Sequence, residues 1–209
     1  MGKILTFPGR GIGSNCYLYT DDDRTGAVLI DPSASPEDTA PVFGQAARNL
    51  SAILLTHAHA DHLLSLRKWK EATGAPIFVG RFDRFALRDS AANVADLLGL
   101  PTGDFGDADG VLEDGEEIAV GCEKLIVLHT PGHTVGSVCF LAPDALFSGD
   151  TLFSFGGIGR TDFFGGSDGA LCDSVMRLLA LSPDLSVYPG HGPNTTIGRE
   201  RNYHSYNPI

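Results

Sequence analysis

The sequence predicts an α/β fold in which two packed sheets are flanked by helices. Short apolar runs bounded by glycine, proline or aspartate recur along the chain, as expected for buried strands. Only three stretches have helical character, so few helices lie between the strands. Many short strands with few helices favour a sheet-based architecture, and local pattern alone leaves the order of the strands open.

Seven runs have the length and apolar content of buried strands. They are residues 16–20 (CYLYT), 27–31 (AVLID), 52–56 (AILLT), 77–80 (IFVG), 123–130 (EKLIVLHT), 137–142 (SVCFLA) and 145–149 (ALFSG).

Helices are predicted over residues 36–49, 61–73 and 168–181. The first has Ser35 as a possible N-cap, proline at its first position and acidic residues in its first turn, all of which are typical of a helix start. The second ends before Gly74, a residue suited to the left-handed position after a helix. The third stops before Pro183 and places four apolar residues on one face. These are Leu171, Val175, Leu178 and Leu179.

The composition favours a globular protein and argues against a nucleic-acid partner. Of 209 residues, 43% are hydrophobic, and the formal net charge is −11. An acidic chain without a block of basic residues is a poor candidate for binding nucleic acid or an anionic membrane. No run of about 18 apolar residues is present to span a bilayer. Neither repeats nor polar linkers divide residues 1–209, which we therefore expect to form one domain.

The cysteines and the N-terminal residues favour a cytoplasmic location. The four cysteines lie far apart, without a CxxC motif, which argues against both a cysteine metal site and a disulfide framework. Residues 1–15 break at Pro8 and lack the long apolar segment of a signal peptide. A reducing compartment fits both observations.

Four side chains of the metal-binding type fall within six positions directly after the run AILLT. They are His57, His59, Asp61 and His62. Residues two apart in an extended segment point the same way, so His57 and His59 can approach one ion together. Asp61 and His62 are adjacent at the start of a predicted helix and diverge, which suits a second ion. A lone histidine is more often structural, but a cluster this dense indicates a metal site.

Three further candidates follow strand-like runs later in the chain. His133 lies in PGHT, Asp150 in SGDTLF, and His191 between two glycines in PGHG. Flanking glycines let the backbone bend tightly. Loops at strand ends are where a rigid sheet can aim several groups at one cavity.

The remaining two histidines fit this pattern less well. His129 lies on the predicted strand 123–130, and we expect it to be packed or to support a ligand from behind. His204 lies in the C-terminal tail, where we expect a surface position.

The motifs HAHADH (57–62), PGHT (131–134), SGDTLF (148–153) and PGHG (189–192) resemble, in order, those of the metallo-β-lactamase superfamily. With NCYL (15–18) and LIDP (29–32), the resemblance covers nearly the whole chain. It implies a four-layer αββα sandwich with the metals at one edge. It also implies that His57, His59 and His133 hold one metal, that Asp61, His62 and His191 hold the other, and that Asp150 bridges them.

Such a site predicts hydrolysis. Imidazole and carboxylate ligands suit two divalent ions, which we expect to be zinc, with iron or manganese as alternatives. Two carboxylates offset only half of the charge of two dications, which favours a bound hydroxide, since a zinc site lowers the pKa of its water to about 7. That hydroxide would attack an ester, thioester or amide carbonyl whose oxygen a metal polarises. Asp61 is also a candidate for orienting it.

Within the superfamily, residues 148–166 (SGDTLFSFGGIGRTDFFGG) resemble the glyoxalase II group, the hydroxyacylglutathione hydrolases, and especially its short bacterial type. The resemblance implies cleavage of a thioester such as S-lactoylglutathione. Arg160 takes the place of a basic residue that contacts the glutathione end of the substrate in that group. The alternative is that Arg160 is a structural residue, paired with Asp162 or with a backbone carbonyl.

The sequence departs from the longer glyoxalase II enzymes after His191. Those enzymes carry a helical C-terminal domain with further glutathione contacts, whereas the 18 residues after His191 are too few to form one. The thiol is therefore either glutathione or another small thiol. Four residues of the tail are candidates for replacing part of those contacts, namely Arg199, Arg201, Tyr203 and Tyr206.

Other activities of the same fold remain as alternatives. Residues 159–163 (GRTDF) also resemble persulfide dioxygenases, which use a single iron at positions matching His57, His133 and Asp150 and oxidise glutathione persulfide. The presence of every second-metal ligand favours the hydrolase. A β-lactamase is disfavoured by His62 and by the aspartate at position 150. A lactonase or another ester hydrolase stays open, and a non-catalytic binding module would be expected to lack some of the ligands.

Overall fold

Two mixed sheets make up the centre of the protein. The structure, a computed structural model, describes residues 2–23, 25–48, 50–100 and 102–206. Within them, the first six-stranded sheet has its strands in sequence order, antiparallel from β1 to β3 and parallel from β3 to β6. Its strands are β1 (Lys3–Phe7), β2 (Cys16–Thr20), β3 (Ala27–Ile30), β4 (Ala52–Leu55), β5 (Ile77–Gly80) and β6 (Gly110–Leu112).

The second six-stranded sheet has the order β12-β11-β10-β9-β8-β7 in the described residues. Only its β10–β11 pair is parallel among the strand pairs described there. Its strands are β7 (Glu117–Val120), β8 (Glu123–His129), β9 (Val138–Leu141), β10 (Ala145–Gly149), β11 (Ser186–Pro189) and β12 (Thr195–Thr196).

Helices cover the outer faces of both sheets. The α-helices are α1 (Pro36–Phe43), α2 (Ala60–Leu63), α3 (Leu66–Thr73), α4 (Asp168–Leu179) and α5 (Ile197–Tyr206), and 3₁₀ turns cover Gly44–Arg48 and Arg81–Arg88. None of the helices described here has the length and apolar character needed to cross a membrane.

Three layers of buried apolar side chains follow from the alternation of the strands. The middle layer lies between the sheets, where Leu54 of the first sheet belongs to the same cluster as Val127 and Phe140 of the second. One outer layer joins strand residues such as Ile53 to α1 and α3, and the other joins strand residues to α4 and α5. This last cluster contains Leu146, Val187, Leu171, Val175, Leu178 and Ile197. The predicted αββα sandwich is therefore confirmed.

Most predicted elements are present, and their caps explain where they begin and end. All seven predicted strands are found, four of them shorter than predicted by one or two residues. The hydroxyl of Ser35 accepts a hydrogen bond from the Asp38 amide at 3.1 Å. Gly74, at φ +68°, ends α3 in the left-handed conformation, and the four apolar residues predicted for the third helix are all buried on α4.

Two predicted helices are broken, and each break has a local cause. The helix predicted over 36–49 is α-helical only to Phe43, because Gly44 has a φ of +55°. A 3₁₀ turn follows, and Asn49 lies outside the described residues. The helix predicted over 61–73 is divided near Ser65, whose amide donates to the carbonyl of Pro32 at 2.9 Å instead of continuing the helix. The break leaves Asp61 and His62 on a short turn of their own.

The two sheets are hydrogen-bonded to each other at one edge. The Val138 amide at the start of β9 donates to the carbonyl of Thr56, just after β4, at 2.8 Å. The Asn15 amide, before β2, donates to the carbonyl of Gly190, just after β11, at 2.7 Å. These contacts bring together the loops that carry the predicted metal ligands.

Candidate metal centre

All seven predicted ligands meet at this edge. Three groups have potential ligand atoms that lie within 4.8 Å of one another: His57, His59 and His133; His57, His62 and Asp150; and Asp61, His62 and His191. Asp150 lies between the two predicted sets, because its carboxylate is 3.6 Å from Nε2 of His133 and 3.7 Å from Nε2 of His191. The predicted bridging position of Asp150 is consistent with this placement.

The motif HAHADH reaches the site through a change of backbone conformation. Strand β4 ends at Leu55, and the chain stays extended to His59, which has φ −71° and ψ 142°. The rings of His57 and His59 therefore lie on the same side, with centroids 4.7 Å apart. Helix α2 then begins at Ala60 and turns Asp61 and His62 towards His191, whose Nε2 is 3.0 Å from Oδ2 of Asp61.

The donor atoms fit two divalent cations. Of the buried Nε2 atoms that lack a hydrogen-bond partner in the described part of the chain, four belong to this cluster, those of His57, His59, His62 and His133. Oδ1 of Asp150 is likewise buried and unpartnered there. Buried polar atoms are rarely left unsatisfied, and atoms of this type at this spacing are the ones that zinc or iron binds.

Burial keeps the first set of imidazoles neutral. Burial, followed by the charge of His62, lowers the pKa of His57 well below its usual value. Burial also lowers the pKa of His59 to about 3. A neutral imidazole has a free lone pair at neutral pH, so these two side chains are ready to bind a cation without losing a proton.

The second set is more highly charged. Burial alone would lower the pKa of His62, but the carboxylates of Asp31, Asp61 and Asp150 outweigh it and raise that pKa well above its usual value. The pKa of Asp150 is lowered despite its burial, chiefly by the charge of His62. Carboxylates that attract a proton to an imidazole also attract a metal dication, which displaces the proton.

Two buried carboxylates outside the predicted set hold the ligands in place, and Asp31 is the first. Its Oδ2 lies 2.9 Å from Nδ1 of His62 and accepts from the hydroxyl of Thr56 at 2.8 Å. Its Oδ1 accepts from the Thr56 amide. A proton on Nδ1 leaves Nε2 of His62 free to bind a metal. Asp31 directly follows the buried strand β3, and an aspartate in that position is a signal by which the sequence could have identified it.

Asp83, on the second 3₁₀ turn, is the other supporting carboxylate. Its Oδ2 accepts from the Ala58 amide at 3.0 Å and from the hydroxyl of Thr134 at 2.8 Å. Its Oδ1 accepts from the Gly136 amide at 2.8 Å. It thus joins the His57–His59 segment to the loop that carries His133. No motif surrounds Asp83 in the sequence, so sequence reasoning missed it.

The loop after Asp150 packs tightly against the site. Nδ1 of His133 lies 2.7 Å from the carbonyl oxygen of Arg160, a contact that fixes the ring and leaves Nε2 facing the other ligands. A Cβ atom at Gly159 would lie 2.0 Å from the carbonyl oxygen of Asp150. Only glycine therefore fits at that position.

For Arg160 the sequence left two interpretations, a contact with substrate or a structural pairing with Asp162. The structure contains the pairing. Its guanidinium forms a two-pronged ion pair with the carboxylate of Asp162, both contacts being 2.6 Å, and it lies 3.9 Å from the ring centroid of Phe163. The Phe163 ring lies 5.7 Å from that of His59. Arg160 therefore stands beside the first set of ligands, more than half exposed, and its contact with substrate stays a prediction.

The other histidines lie outside the centre. His129 is half-buried on β8, where its ring packs 5.6 Å from that of Phe82 and Nε2 contacts the carbonyl of Val135. The expected surface position of His204 is wrong. It is half-buried, with Nε2 shielded from solvent, because the tail forms helix α5, which the sequence analysis did not predict.

The tail residues proposed as substrate contacts lie on helix α5, and they have different surroundings. Arg201 donates to the carbonyls of Leu179 and Leu181, at the end of α4. Tyr203 is exposed, with its ring 6.3 Å from that of Phe155. Arg199 is exposed and lines the same surface pocket as Phe155 and Tyr203. The side chain of Tyr206 lies outside the described part of the structure.

Known proteins with the same arrangement identify the family. A family model described as the metallo-β-lactamase superfamily matches residues 9–191. The hydroxyacylglutathione hydrolase GloC of Haemophilus influenzae is 34% identical, over 95% of each chain. The crystal structure of BLEG-1, a B3 metallo-β-lactamase, has a TM-score of 0.89 at 34% identity, over 99% of this chain and 100% of that one. The crystal structure of TTHA1623 in a di-iron-bound form has a TM-score of 0.81 at 38% identity, over 95% and 96%.

These matches extend over nearly the full length of both partners, and the family model ends at the last predicted ligand, His191. The fold, the clustered histidines and aspartates and the matches agree, and the chain belongs to the metallo-β-lactamase superfamily of dinuclear metal-binding hydrolases.

Proposed function

We propose that the protein is a metal-dependent hydrolase that cleaves a small-molecule thioester, of glutathione or of another small thiol. The observation that carries this proposal is the convergence of four unpartnered imidazole nitrogens on the carboxylates of Asp61 and Asp150. The likeness to GloC, a hydroxyacylglutathione hydrolase, supports the thioester.

Each residue has a distinct role in this proposal. His57, His59 and His133 would hold one metal, Asp61, His62 and His191 would hold the other, and Asp150 would be a ligand shared by both. When bound, the metals supply a nucleophile from water at neutral pH and a Lewis acid for the carbonyl oxygen. Asp61 has the further role of orienting the attacking water. Its carboxylate is 16% exposed against 11% for that of Asp150, so it is the ligand carboxylate more open to solvent, and Nε2 of His191 contacts one of its oxygens.

The surroundings of the site support a small substrate. The ring centroid of Phe163 lies 5.7 Å from that of His59, and the centroid of Phe153 lies 6.3 Å from that of His191. We call the space beside the ligands between these two rings the cleft and propose that the substrate binds there. We propose that Arg160 exchanges its partner Asp162 for a carboxylate of the substrate. We further propose that residues 1–209 act as one domain in a reducing, cytoplasmic compartment, which the four free cysteines support.

Metal content and thioester cleavage test the proposal together. We expect close to two metals per chain by elemental analysis, mainly zinc, and turnover of S-lactoylglutathione followed by release of free thiol. The di-iron form of TTHA1623 supports iron as the alternative metal. One iron per chain, with oxygen uptake on glutathione persulfide and no thiol release from thioesters, would replace the hydrolase with the persulfide dioxygenase.

Replacing Asp150 with alanine removes the proposed bridge. Loss of a residue that merely supports a ligand costs about 10–100-fold in activity, so we expect Asp150→Ala to lower turnover by more than about 100-fold. Asp173→Ala, at an exposed position on α4, is the control and should retain activity. Near-normal turnover of Asp150→Ala would exclude the bridged two-metal arrangement.

A second candidate function is hydrolysis of β-lactams. The likeness to BLEG-1, described as a B3 metallo-β-lactamase, favours it. Both reactions need the same attack on a carbonyl carbon, so the substrate separates them. A chromogenic cephalosporin assayed beside S-lactoylglutathione would establish the β-lactamase if kcat/KM were higher for the cephalosporin.

A further inference from the structure

Glu200 is a buried carboxylate that takes no part in the predicted metal centre. It lies on α5 with 0% of its surface exposed. Its Oε2 accepts from the Gly156 amide at 2.7 Å, and its Oε1 accepts from the Phe155 amide at 3.3 Å and from the hydroxyl of Thr195 at 2.5 Å. Because a buried charge is costly unless it is hydrogen-bonded, these three donors are what allow a glutamate here.

The two amides belong to the tip of the loop that follows Asp150. We call residues 153–157 the loop tip. It is closed at its base by a bridge between Leu152 and Ile158 and by a hydrogen bond of 2.8 Å from the Phe153 amide to the Gly157 carbonyl. Phe155 has a φ of +62°, a left-handed conformation that is unfavourable for a bulky residue. The hydrogen bonds to Glu200 offset that cost.

The loop tip lies beside the predicted metal centre, on the His191 side. The ring of Phe153 packs against that of His191. Further along, the same loop supplies the carbonyl of Arg160 that orients His133. Phe155 is 72% exposed and lies beside Tyr203. The contacts of Glu200 are with the loop tip and Thr195, so a change there moves the wall of the cleft and leaves the metal ligands in place.

We propose that Glu200 is a positioning residue for substrate binding, which fixes the loop tip as the wall of the cleft beside His191. The inference rests on the proposed function, because the molecule that meets this wall is the thioester. Glu200 acts through the two amides that it holds, and it touches neither the substrate nor the metals.

The variant Glu200→Gln tests this role. A glutamine side chain has one acceptor oxygen, and its amide group would face one of the backbone N–H groups that the carboxylate now accepts. We expect amide hydrogen exchange in peptides covering residues 153–157 to accelerate at least about tenfold. For S-lactoylglutathione we expect KM to rise roughly fivefold to tenfold while kcat changes less than about twofold. Metal content should stay at the wild-type value.

Asp21 offers a matched control at the other end of the sheet. It too is 0% exposed and accepts from two amides and a threonine hydroxyl. The donors are the amides of Gly26 and Cys122 and the hydroxyl of Thr25, at 2.9, 3.2 and 2.6 Å. It lies just after β2, at the opposite end of that strand from Asn15, whose amide donates to the carbonyl of Gly190. We expect both Asp21→Asn and Glu200→Gln to lower stability, because each leaves a buried amide group facing backbone N–H donors. Asp21→Asn should leave KM unchanged.

The outcomes separate the inference from the proposed function. A wild-type protein that releases no thiol from any thioester would overturn the proposed function, and the effect on KM with it. Wild-type turnover with an unchanged KM in Glu200→Gln, or an equal rise in KM in Asp21→Asn, would overturn the inference alone. Should Glu200→Gln not fold, Thr195→Val removes one hydrogen-bond donor to Glu200. For that variant we expect a smaller acceleration of hydrogen exchange in residues 153–157 and a smaller rise in KM.

Discussion

At the scale of single residues, each predicted metal set is supported by one buried carboxylate that is not a ligand. Asp31 holds His62 of one set through Nδ1, and Asp83 joins the two chain segments that carry the other set. Both carboxylates reach backbone amides as well, so they fix the positions of whole segments. A metal centre assembled from separate loops depends on such supports for its geometry.

Replacing Asp83 with asparagine should weaken one metal position and spare the other. Asparagine keeps the shape of the side chain, but its amide group cannot accept from the donors that now face the carboxylate. We expect the affinity for one of two metals to fall about 10–100-fold, measured by competition with a chromogenic chelator. Asp21→Asn is again the control. Wild-type affinity for both metals in Asp83→Asn would show that the histidine ligands keep their positions without the carboxylate of Asp83.

Arg160 and Asp162 can be separated by a pair of variants. If Arg160 binds a carboxylate of the substrate, Arg160→Ala should raise KM for a glutathione thioester with little change in kcat. Asp162→Asn removes the competing carboxylate, so it should lower KM. Steady-state kinetics of both variants check this. If Arg160 were only structural, both variants would change the kinetics in the same direction, because each removes the same ion pair.

At the scale of elements, the parallel pair β10–β11 brings two glycines into the centre. The Gly190 amide donates to the Gly149 carbonyl at 2.8 Å. A Cβ atom at Gly190 would lie 2.1 Å from Oδ1 of Asp150 and 2.7 Å from Cε1 of His62. The backbone at Gly190, just after β11, therefore packs directly against the ligands, and a side chain cannot be accommodated there.

Gly190→Ala should therefore lose metal while keeping its fold. The added methyl group displaces Asp150 or His62, and we expect metal content to fall below one per chain, with a far-ultraviolet circular dichroism spectrum like that of the wild type. Gly169→Ala is the control, since a Cβ atom there meets nothing within 4 Å and alanine favours the helix by about 1 kcal/mol. If Gly190→Ala still bound two metals per chain, the backbone at Gly190 could not lie as close to Asp150 and His62 as the structure shows.

Some elements could be predicted from the sequence and others could not. Strands inside the two sheets, such as β4 and β10, were predictable because their continuous apolar runs are buried on both faces. Strand β1 was missed because it is a half-buried edge strand, and β6 and β12 because three and two residues carry too little pattern. Helix α5 has no apolar stripe, and its position depends on tertiary contacts such as those of Glu200.

The candidate site was predictable to a different extent. The seven predicted ligands come together as expected because each follows a strand or precedes a helix, where its local motif determines its placement. Asp83 was not predictable, because its hydrogen-bond partners lie 25, 51 and 53 residues away in the sequence and no local sequence pattern indicates them. Contacts of that range are set by the packing of the sheets, which a single sequence does not reveal.

At the scale of the whole molecule, the centre joins the two sheets. His57, His59, Asp61 and His62 follow β4 of the first sheet, and His133, Asp150 and His191 follow strands of the second. Each predicted metal set contains ligands from both sheets, so metal binding links the two halves of the sandwich. Removing the metals leaves buried imidazoles and carboxylates close together without the cations that would bind them, and this should make the stability of the metal-free protein depend on pH.

The metal-free protein should be most stable near pH 6.5, the pKa of histidine in an unfolded chain. Burial lowers the pKa of His57 and His59. As the pH falls below about 6.5, the unfolded chain binds protons that the folded chain excludes, and stability is lost. Burial would also lower the pKa of His62 and His191, but nearby carboxylates outweigh it and raise both. Their contribution is complete below about pH 6.5 and is lost as the pH rises through the folded-state pKa.

Thermal unfolding of chelator-treated protein between pH 5 and 8 at constant ionic strength measures this dependence. We expect Tm to fall on both sides of the maximum by at least about 2–4 °C, the shift per kcal/mol for a chain of this size. With metal restored, the ligands must give up their protons to bind it, so stability should rise from acid to neutral pH and the maximum near 6.5 should disappear. A metal-free Tm that is flat across this range, or that rises steadily with pH, would show that the buried histidines do not control stability in the way their surroundings predict.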